Sequence, residues 1–546
     1  MKQADHKFTL IIFSTLILIG FIVRIMIGDE FLYGTYFDRD LYRSFLIPKK
    51  HFLYGPELSI LGNTPGGAFY YYLWIFKDLF NKNIVTTFTF LNILNYLFSL
   101  YFIIKTIKIF SNQRIVYMLG ILVFSTFQVF LESSLTLWNP SLALPFHFII
   151  TYHLCSFFYQ KESKRVSLYF SFILISLTAQ FHLSGLFHLI SFVSLSLISL
   201  NRKKLRLIDL LGCLTAFTIP YLPLLISIIV NHSSPFKEAL VLSSKESNPI
   251  STLYILKTNL LNIFGSLAFH PLGFRELPTW ILSKGIAKYI PPMLANVITA
   301  FFLIFTFLMG ILSIKNKLHK NFYLKEFISV ILVMFTFYSC LQFYFGDYSI
   351  NIRKLYPFTP YIILLTCLSF SYFLSLNINR PIYSTVVVCI VTTCLLNLIN
   401  FKLRTIPEFH TFQSFHQVVH FLHQKIGLST EQIRTKVTLV RFDNISNGCV
   451  PISTEEESDF GGVENILKSI PATPNKRIGA KCYILLSKKD FGKECNLEVL
   501  KKIPQLKDLK SAGEDSYLKA FSFTHENPCP TTLNNPYLVE NISHSK

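Results

Sequence analysis

Charge is what this sequence has least of. Only 15% of its 546 residues are Asp, Glu, Lys or Arg, against about a quarter in soluble domains, which excludes a large cytosolic enzyme. A zinc pattern is missing too: no CxxC or Cys/His spacing occurs among the ten cysteines, so structural zinc is not expected. There is no internal repeat at 20–50 residues and no inverted duplication of the kind many transporters carry. The first apolar run, 8–27, has no small-residue cleavage site and is too long for a removable signal peptide. It reads as a retained helix.

Apolar and aromatic residues fill the space that charge leaves. The chain is 51% hydrophobic and 16% aromatic, with a mean hydropathy of +0.44. Apolar runs of about 20 residues recur along the first 400 residues, the pattern of a polytopic α-helical membrane protein. The spacing predicts eleven spans, at 8–27, 85–104, 115–132, 141–159, 166–181, 183–200, 207–230, 291–312, 326–344, 355–375 and 382–401. Residues 166–200 form one nearly unbroken apolar stretch, whose length suits two tightly turned helices better than one. The net charge of +20 then falls into place without nucleic acid. Lys105, Lys108 and Arg114, Lys161, Lys164 and Arg165, the 202–206 cluster, Lys315 to Lys325 and Arg380 all lie on one side of this count. The positive-inside rule makes that side cytoplasmic. The N-terminus is then cytoplasmic, and the segments 29–84, 132–140, 231–290 and 345–354 and the tail lie outside.

The composition changes near Phe401. A membrane domain over 1–401 is expected to be followed by a small extracytoplasmic α/β domain over 402–546, with strands at 436–442 and 481–487 and a helix at 460–470. Four cysteines fall in this tail, Cys449, Cys482, Cys495 and Cys529, where one or two disulfides of unreadable connectivity are plausible. His416, His420 and His423 share a helical face, but no Glu or Cys completes a metal site.

The spans hold almost no ionisable side chain, with Asp209 and Glu132 at ends and Arg24 about a turn from one. An ion-coupled transporter or flippase would place such groups at the midplane, so that alternative is disfavoured. Acids gather instead at the outer face: Asp29 and Glu30, then Asp38 and Asp40 in "GTYFDRDLYRS", then Glu57. An acid at that rim can act as general base on a hydroxyl arriving from outside. Beyond them, "LYGPELSILGNTPGGAFYYYL" (53–73) is rich in turn formers and returns the chain to the membrane. It leads into an aromatic stretch at 68–80, including Tyr71, suited to the interface or to walling a lipid or sugar groove. Trp138-Asn139-Pro140 reads as a helix start with Asn139 as cap. His182 sits at an outer turn, where a lone histidine is usually a structural hydrogen bonder.

One membrane helix, an outer loop with acids and an Arg-Asp pair, "GPELSILGN", "LWNPSLALPF" (137–146), "QFHLSGL" (180–186), "RKLYPFTPYIILL" (353–365) and a soluble domain after the last helix follow one another in this order. The order resembles the GT-C superfamily of polyprenyl-phosphate-sugar-dependent glycosyltransferases, and most closely the bacterial members like protein O-mannosyltransferases and aminoarabinose transferases. The resemblance implies an inverting transfer of a sugar from a polyprenyl-phosphate donor to a cell-envelope acceptor at the extracytoplasmic face of the inner membrane. It implies an outer-loop acid as base, in the stretch that holds Asp38 and Asp40, although the family's Asp-Glu or Asp-Gln dyad is not cleanly present. Asn139, with Trp138, His182, Glu57 and Tyr71, would line the acceptor or donor site. A lipid phosphate leaving group implies a fixed cation near the outer surface, with Arg353, Lys354 and Arg275 as candidates and Lys49 and Lys50 as headgroup contacts. No cofactor and no strictly required metal is expected, a weak dependence on a divalent cation being the alternative. A non-catalytic member of the same fold is the remaining alternative.

Overall fold

The computed structural model describes residues 2–26, 53–58, 62–79, 84–127, 139–160, 165–199, 205–231, 323–345, 356–376 and 379–404 in the helical region, with a few isolated positions. Beyond these it describes 421, 425–428 and the strand segments of the tail.

The helical region begins with α1 (Lys2–Met26) and a hairpin of β1 (Tyr54–Leu58) and β2 (Gly62–Pro65), followed by α2 (Ala68–Leu79). Next come α3 (Ile84–Lys108), α4 (Arg114–Thr126), α5 (Asn139–Tyr159) and α6 (Arg165–Phe181). A 3₁₀ turn at Leu183–Leu186 leads into α7 (Phe187–Ile198). The α8 helix (Leu207–Thr218) passes through a 3₁₀ turn at Ile219–Tyr221 into α9 (Leu222–Asn231). The bundle closes with α10 (Tyr323–Phe345), α11 (Thr359–Ser375) and α12 (Arg380–Arg404). Among the described residues five stretches are long and apolar enough to cross a membrane: Lys7–Ile25, Thr89–Lys108, Ser141–Tyr159, Leu207–Val230 and Tyr356–Ser375. The chain is a polytopic helical membrane protein.

Burial sorts these helices. The Ser141–Tyr159 and Tyr356–Ser375 stretches are 78% and 83% buried, so α5 and α11 form the centre, while Leu207–Val230 is 17% buried and lies at the periphery. The residues α8 and α9 leave exposed are Leu207, Leu211, Leu214, Ile226, Ile229 and their neighbours, apolar all round as a lipid-facing helix must be. The apolar stretch at 166–200 divides as its length demands, at His182, into α6 and the 3₁₀ turn with α7. Of the eleven expected spans, 291–312 lies almost wholly outside the described residues.

Two backbone approaches fix the packing. Gly20 of α1 lies so close to α4 that a Cβ there would stand 2.4 Å from the Ser125 carbonyl oxygen; small residues permit such contact where water supplies no driving force. Gly66, at φ +93°, takes the left-handed conformation open to glycine and lies against the Gln180 side chain.

The tail forms a second compact unit. A four-stranded sheet runs β3 (Val437–Leu439), β6 (Ala480–Ser487), β8 (Leu518–His525), β7 (Lys510–Glu514). The β3–β6 pair is parallel, with Val437 opposite Tyr483, and the others are antiparallel, with Ala480 opposite His525. A separate ladder pairs β4 (Arg441–Asp443) with β5 (Val450–Ile452). Both sequence-read strands are present, the first divided between β3 and β4. The helix expected at 460–470 and the three histidines at 416, 420 and 423 lie outside the described residues.

Candidate functional site

The end of the bundle that carries the β1–β2 hairpin is built by side chains that tie loop to helix. Gln180, near the end of α6, is 2% exposed. Its Oε1 accepts from the Ala68 amide at 3.2 Å, and its Nε2 donates to the Pro220 carbonyl at 2.9 Å. One amide thus joins the hairpin exit, α6 and the turn before α9. The α2 helix then buries Phe69 and Tyr70 completely. Phe69, Tyr72 and Phe146 each pack on Phe181, with ring centroids 5.5, 5.2 and 5.4 Å away. Such a cluster sets the angle at which α2 returns to the bundle.

Below it lies a polar pocket. Its wall comprises Arg24 of α1, Asn92, Asn95, Tyr96 and Ser99 of α3, Phe124 of α4, Phe130 and Ser133 of the following turn, and Ser141, Leu144 and Pro145 of α5, around a cavity of about 20 Å³. Several features open it. Pro145 lies inside α5 and cannot donate to the Ser141 carbonyl one turn earlier. The α4 helix has 13 residues and so runs only about 20 Å, ending inside the apolar region. Arg24, 6% exposed, completes that end. It donates to the Ser125 carbonyl at 2.6 Å, the Phe124 carbonyl at 2.8 Å and the Gly20 carbonyl at 3.2 Å. Its guanidinium carbon stands 4.7 Å from the Tyr96 ring centroid and 5.6 Å from that of Phe124. A cation at a helix C-terminus both satisfies free carbonyls and meets the negative end of the dipole.

Tyr72 connects the pocket to α2, its hydroxyl donating to Asn95 Oδ1 at 3.5 Å. Burial pushes the Tyr72 phenol up from its ordinary range, so it stays a neutral donor. With Asn95 Oδ1 engaged, the Asn95 NH₂ is the part left to offer. Ser99, 1% exposed, has a buried Oγ with no hydrogen-bond partner.

The sequence-read site residues divide into two sets. Asp38, Asp40, Trp138, Arg275, Arg353 and Lys354, with Asp29, Glu30, Lys49, Lys50 and Glu132, lie outside the described residues. Glu57 sits in β1 opposite Asn63, and Tyr71 lies half-buried on α2. Asn139 begins α5 as its start signal implies. Its side chain, 4% exposed, reaches across to donate to the Phe181 carbonyl at 2.7 Å, tying α5 to the end of α6. His182 caps the 3₁₀ turn, accepting from the Ser184 amide at 3.4 Å and pairing with Ser184 Oγ at 2.7 Å. Both are therefore ties at the rim.

The expectation that the spans hold almost no ionisable side chain needs correcting. Arg24 is buried within α1. His147 of α5 and His188 of α7 are fully buried and pair through Nδ1 and Nε2 at 2.9 Å, while His147 Nε2 and His188 Nδ1 have no hydrogen-bond partner. Histidine is neutral at pH 7 in a charge count, and the two lie 41 positions apart, so a scan for acids and bases passes over them. Three or more potential metal ligands do not cluster anywhere among the described residues.

A helical bundle with apolar membrane-length helices, a hairpin at one end and a pocket near it defines a polytopic helical membrane protein. No protein-family model matches the chain, and no curated protein matches it. Among solved structures the chain has likenesses of fold. It is similar to ArnT from Cupriavidus metallidurans bound to undecaprenyl phosphate, with a TM-score of 0.52 at 8% identity, over 93% of this chain and 97% of that one. The same ArnT in the apo state gives 0.51 at 10% identity, over 96% and 98%. At these identities the likeness is one of fold.

Proposed function

We propose that the chain is a membrane glycosyltransferase that moves a sugar from a polyprenyl-phosphate donor to a cell-envelope acceptor. The observation that carries this reading is a fold match spanning nearly the whole of both chains, with one of the matched structures bound to undecaprenyl phosphate. The hairpin end of the bundle faces away from the cytoplasm, consistent with the basic loops at Lys105–Arg114 and 202–206 on the other side. The chain crosses the inner membrane eleven times, with residues 402–546 as an extracytoplasmic domain.

In this mechanism Asp38 or Asp40 accepts the proton of the acceptor hydroxyl. The oxygen then attacks the anomeric carbon, and the bond from that carbon to the phosphate oxygen breaks with inversion. The polyprenyl phosphate leaves with the bonding electrons, stabilised by cations drawn from Arg353, Lys354 and Arg275. Trp138, Glu57 and Tyr71 line the substrate groove, and Asn139 and His182 hold its rim in shape.

The test is transfer from a panel of labelled polyprenyl-phosphate sugars by the full chain in vesicles, with Asp38→Asn and Asp40→Asn made separately. A general base contributes roughly 10²–10⁴-fold, so one variant loses activity on that scale while the other keeps most of it. Undiminished transfer by both variants overturns the assignment.

A further inference from the structure

We infer that Gln180 is a positioning residue for the proposed transfer: its side-chain amide fixes where the hairpin passes into α2, and with it the placement of Glu57 and Tyr71. The inference deepens the proposed reading and rests on it only for the substrate that Glu57 and Tyr71 meet.

Ring packing already docks α2. Phe69 and Tyr72 pack on Phe181, and Phe69 and Tyr70 are fully buried. Apolar burial is non-directional, so it keeps α2 against α6 without fixing how the preceding chain enters. Hydrogen bonds are directional, and Gln180 supplies two. Its Oε1 accepts from the Ala68 amide at 3.2 Å and its Nε2 donates to the Pro220 carbonyl at 2.9 Å. Ala68 begins α2, so its amide is one of the first-turn donors that have no acceptor within the helix. Gln180 does from α6 what a capping side chain does locally.

The hairpin is built around that amide. Gly66, at φ +93°, lies so close to Gln180 that a Cβ there would overlap the side-chain amide. The Gly66 N–H donates to the Leu53 carbonyl at 3.0 Å and closes the base of the hairpin. Glu57 stands further along the same ladder, opposite Asn63. Tyr71 lies in the first turn of α2, its N–H donating to the Gly67 carbonyl at 3.4 Å. Both residues therefore branch from the short segment that Gln180 holds. The other partner, Pro220, belongs to the 3₁₀ turn that interrupts the helix between α8 and α9. One side chain thus ties the hairpin exit to that interruption, the kind of irregularity that marks a hinge. A displacement of about 1 Å in a substrate-positioning group can cost about 10²-fold, so the place of this segment bears directly on binding.

The experiment compares the full wild-type chain with Gln180→Met and Gln180→Glu in vesicles, reading transfer kinetics and hydrogen exchange at the Ala68 amide. Gln180→Met keeps the length and loses both bonds. The Ala68 amide is expected to exchange roughly tenfold faster, the scale of one net hydrogen bond. KM is expected to rise roughly tenfold with kcat within about twofold, the signature of lost ground-state binding. Gln180→Glu is the rescue. As the neutral acid its carbonyl accepts from Ala68 and its O–H donates to Pro220, whereas the ionised form loses the second bond. Its KM, taken relative to wild type, starts near one at low pH and rises as the introduced carboxyl ionises. Wild-type KM in Gln180→Met, or a relative KM in Gln180→Glu that is raised equally at every pH, overturns the inference. If Gln180→Met does not fold, Gly66→Ala displaces the amide from the other side: the same rise in KM supports the role, and an unchanged KM overturns it. The two proposals fail separately. Wild-type KM in Gln180→Met beside lost transfer in an Asp38 or Asp40 variant removes the positioning role and leaves the enzyme. No transfer by the wild-type chain from any donor removes the enzyme, and Ala68 exchange then decides alone: faster exchange in Gln180→Met keeps the hold on the hairpin, and wild-type exchange removes it.

Discussion

The two ends of the helical bundle treat buried polar groups differently. At the end away from the hairpin they are closed pairs. Arg165 Nε stands 2.8 Å from Asp209, which also accepts from the Arg206 amide at 3.0 Å and from the Tyr169 hydroxyl at 3.5 Å. Tyr159 donates to Glu326 at 2.5 Å inside a ring cluster of Phe110, Tyr323 and Phe327. Ser111 and Ser371 pair at 3.3 Å. Each carboxylate there has its donor, and the networks read as fastenings between helices. At the hairpin end, among the described residues, the buried polar groups include a guanidinium on carbonyls, a serine without a hydrogen-bond partner and a histidine pair with both outer nitrogens bare. Polar groups that are satisfied hold a bundle together, whereas a buried hydroxyl or imidazole nitrogen left without a partner costs stability.

The contrast can be broken most strongly at Arg24. Arg24→Leu leaves the Ser125 and Phe124 carbonyls facing an apolar interior, and a loss of about 3 kcal/mol is expected at roughly 1–3 kcal/mol for each abandoned group. The unfolding midpoint of the purified chain in detergent measures it, and a change under 1 kcal/mol would mean that these carbonyls find other partners. A middle effect is expected at the histidines. His188→Leu strands His147 Nδ1 and costs about 1–3 kcal/mol, while the double change to leucine returns most of that, because removing both partners of a buried hydrogen bond is close to neutral. Additive losses in the double variant would show that each histidine has a role apart from the other. The smallest effect belongs to the most conspicuous contact. Arg165 is 45% exposed in its pair with Asp209, so solvent screens the attraction, and Asp209→Asn is expected to cost only about 0.5–1 kcal/mol. A larger loss would place the strain of the bundle at the wrong end.

Much of the scaffold was legible in the chain. The helix boundary at His182 followed from a 35-residue apolar stretch too long for one crossing, and a structured return of the chain, though not its two paired strands, from Gly55-Pro56 and the run Asn63 to Gly67. The start of α5 followed from Asn139-Pro140. These are local signals, each decided by a few adjacent residues and the thickness of a bilayer. Asn139 shows where such signals stop. Its helix start was readable as sequence, yet its amide serves the carbonyl of Phe181, 42 positions on. The Arg24 contacts span about 100 positions and the histidine pair 41, and neither spacing carries a period that could announce it.

By itself, then, the sequence determined that this is a polytopic helical membrane protein, because hydropathy acts residue by residue. The tertiary structure alone decided that a guanidinium near the end of the first helix closes the fourth, that Gln180 latches the hairpin, and that a donor-lined space remains beneath it. Those outcomes depend on which helices come to lie side by side, and on the rule that a buried polar group must find whatever partner the packing brings within about 3 Å.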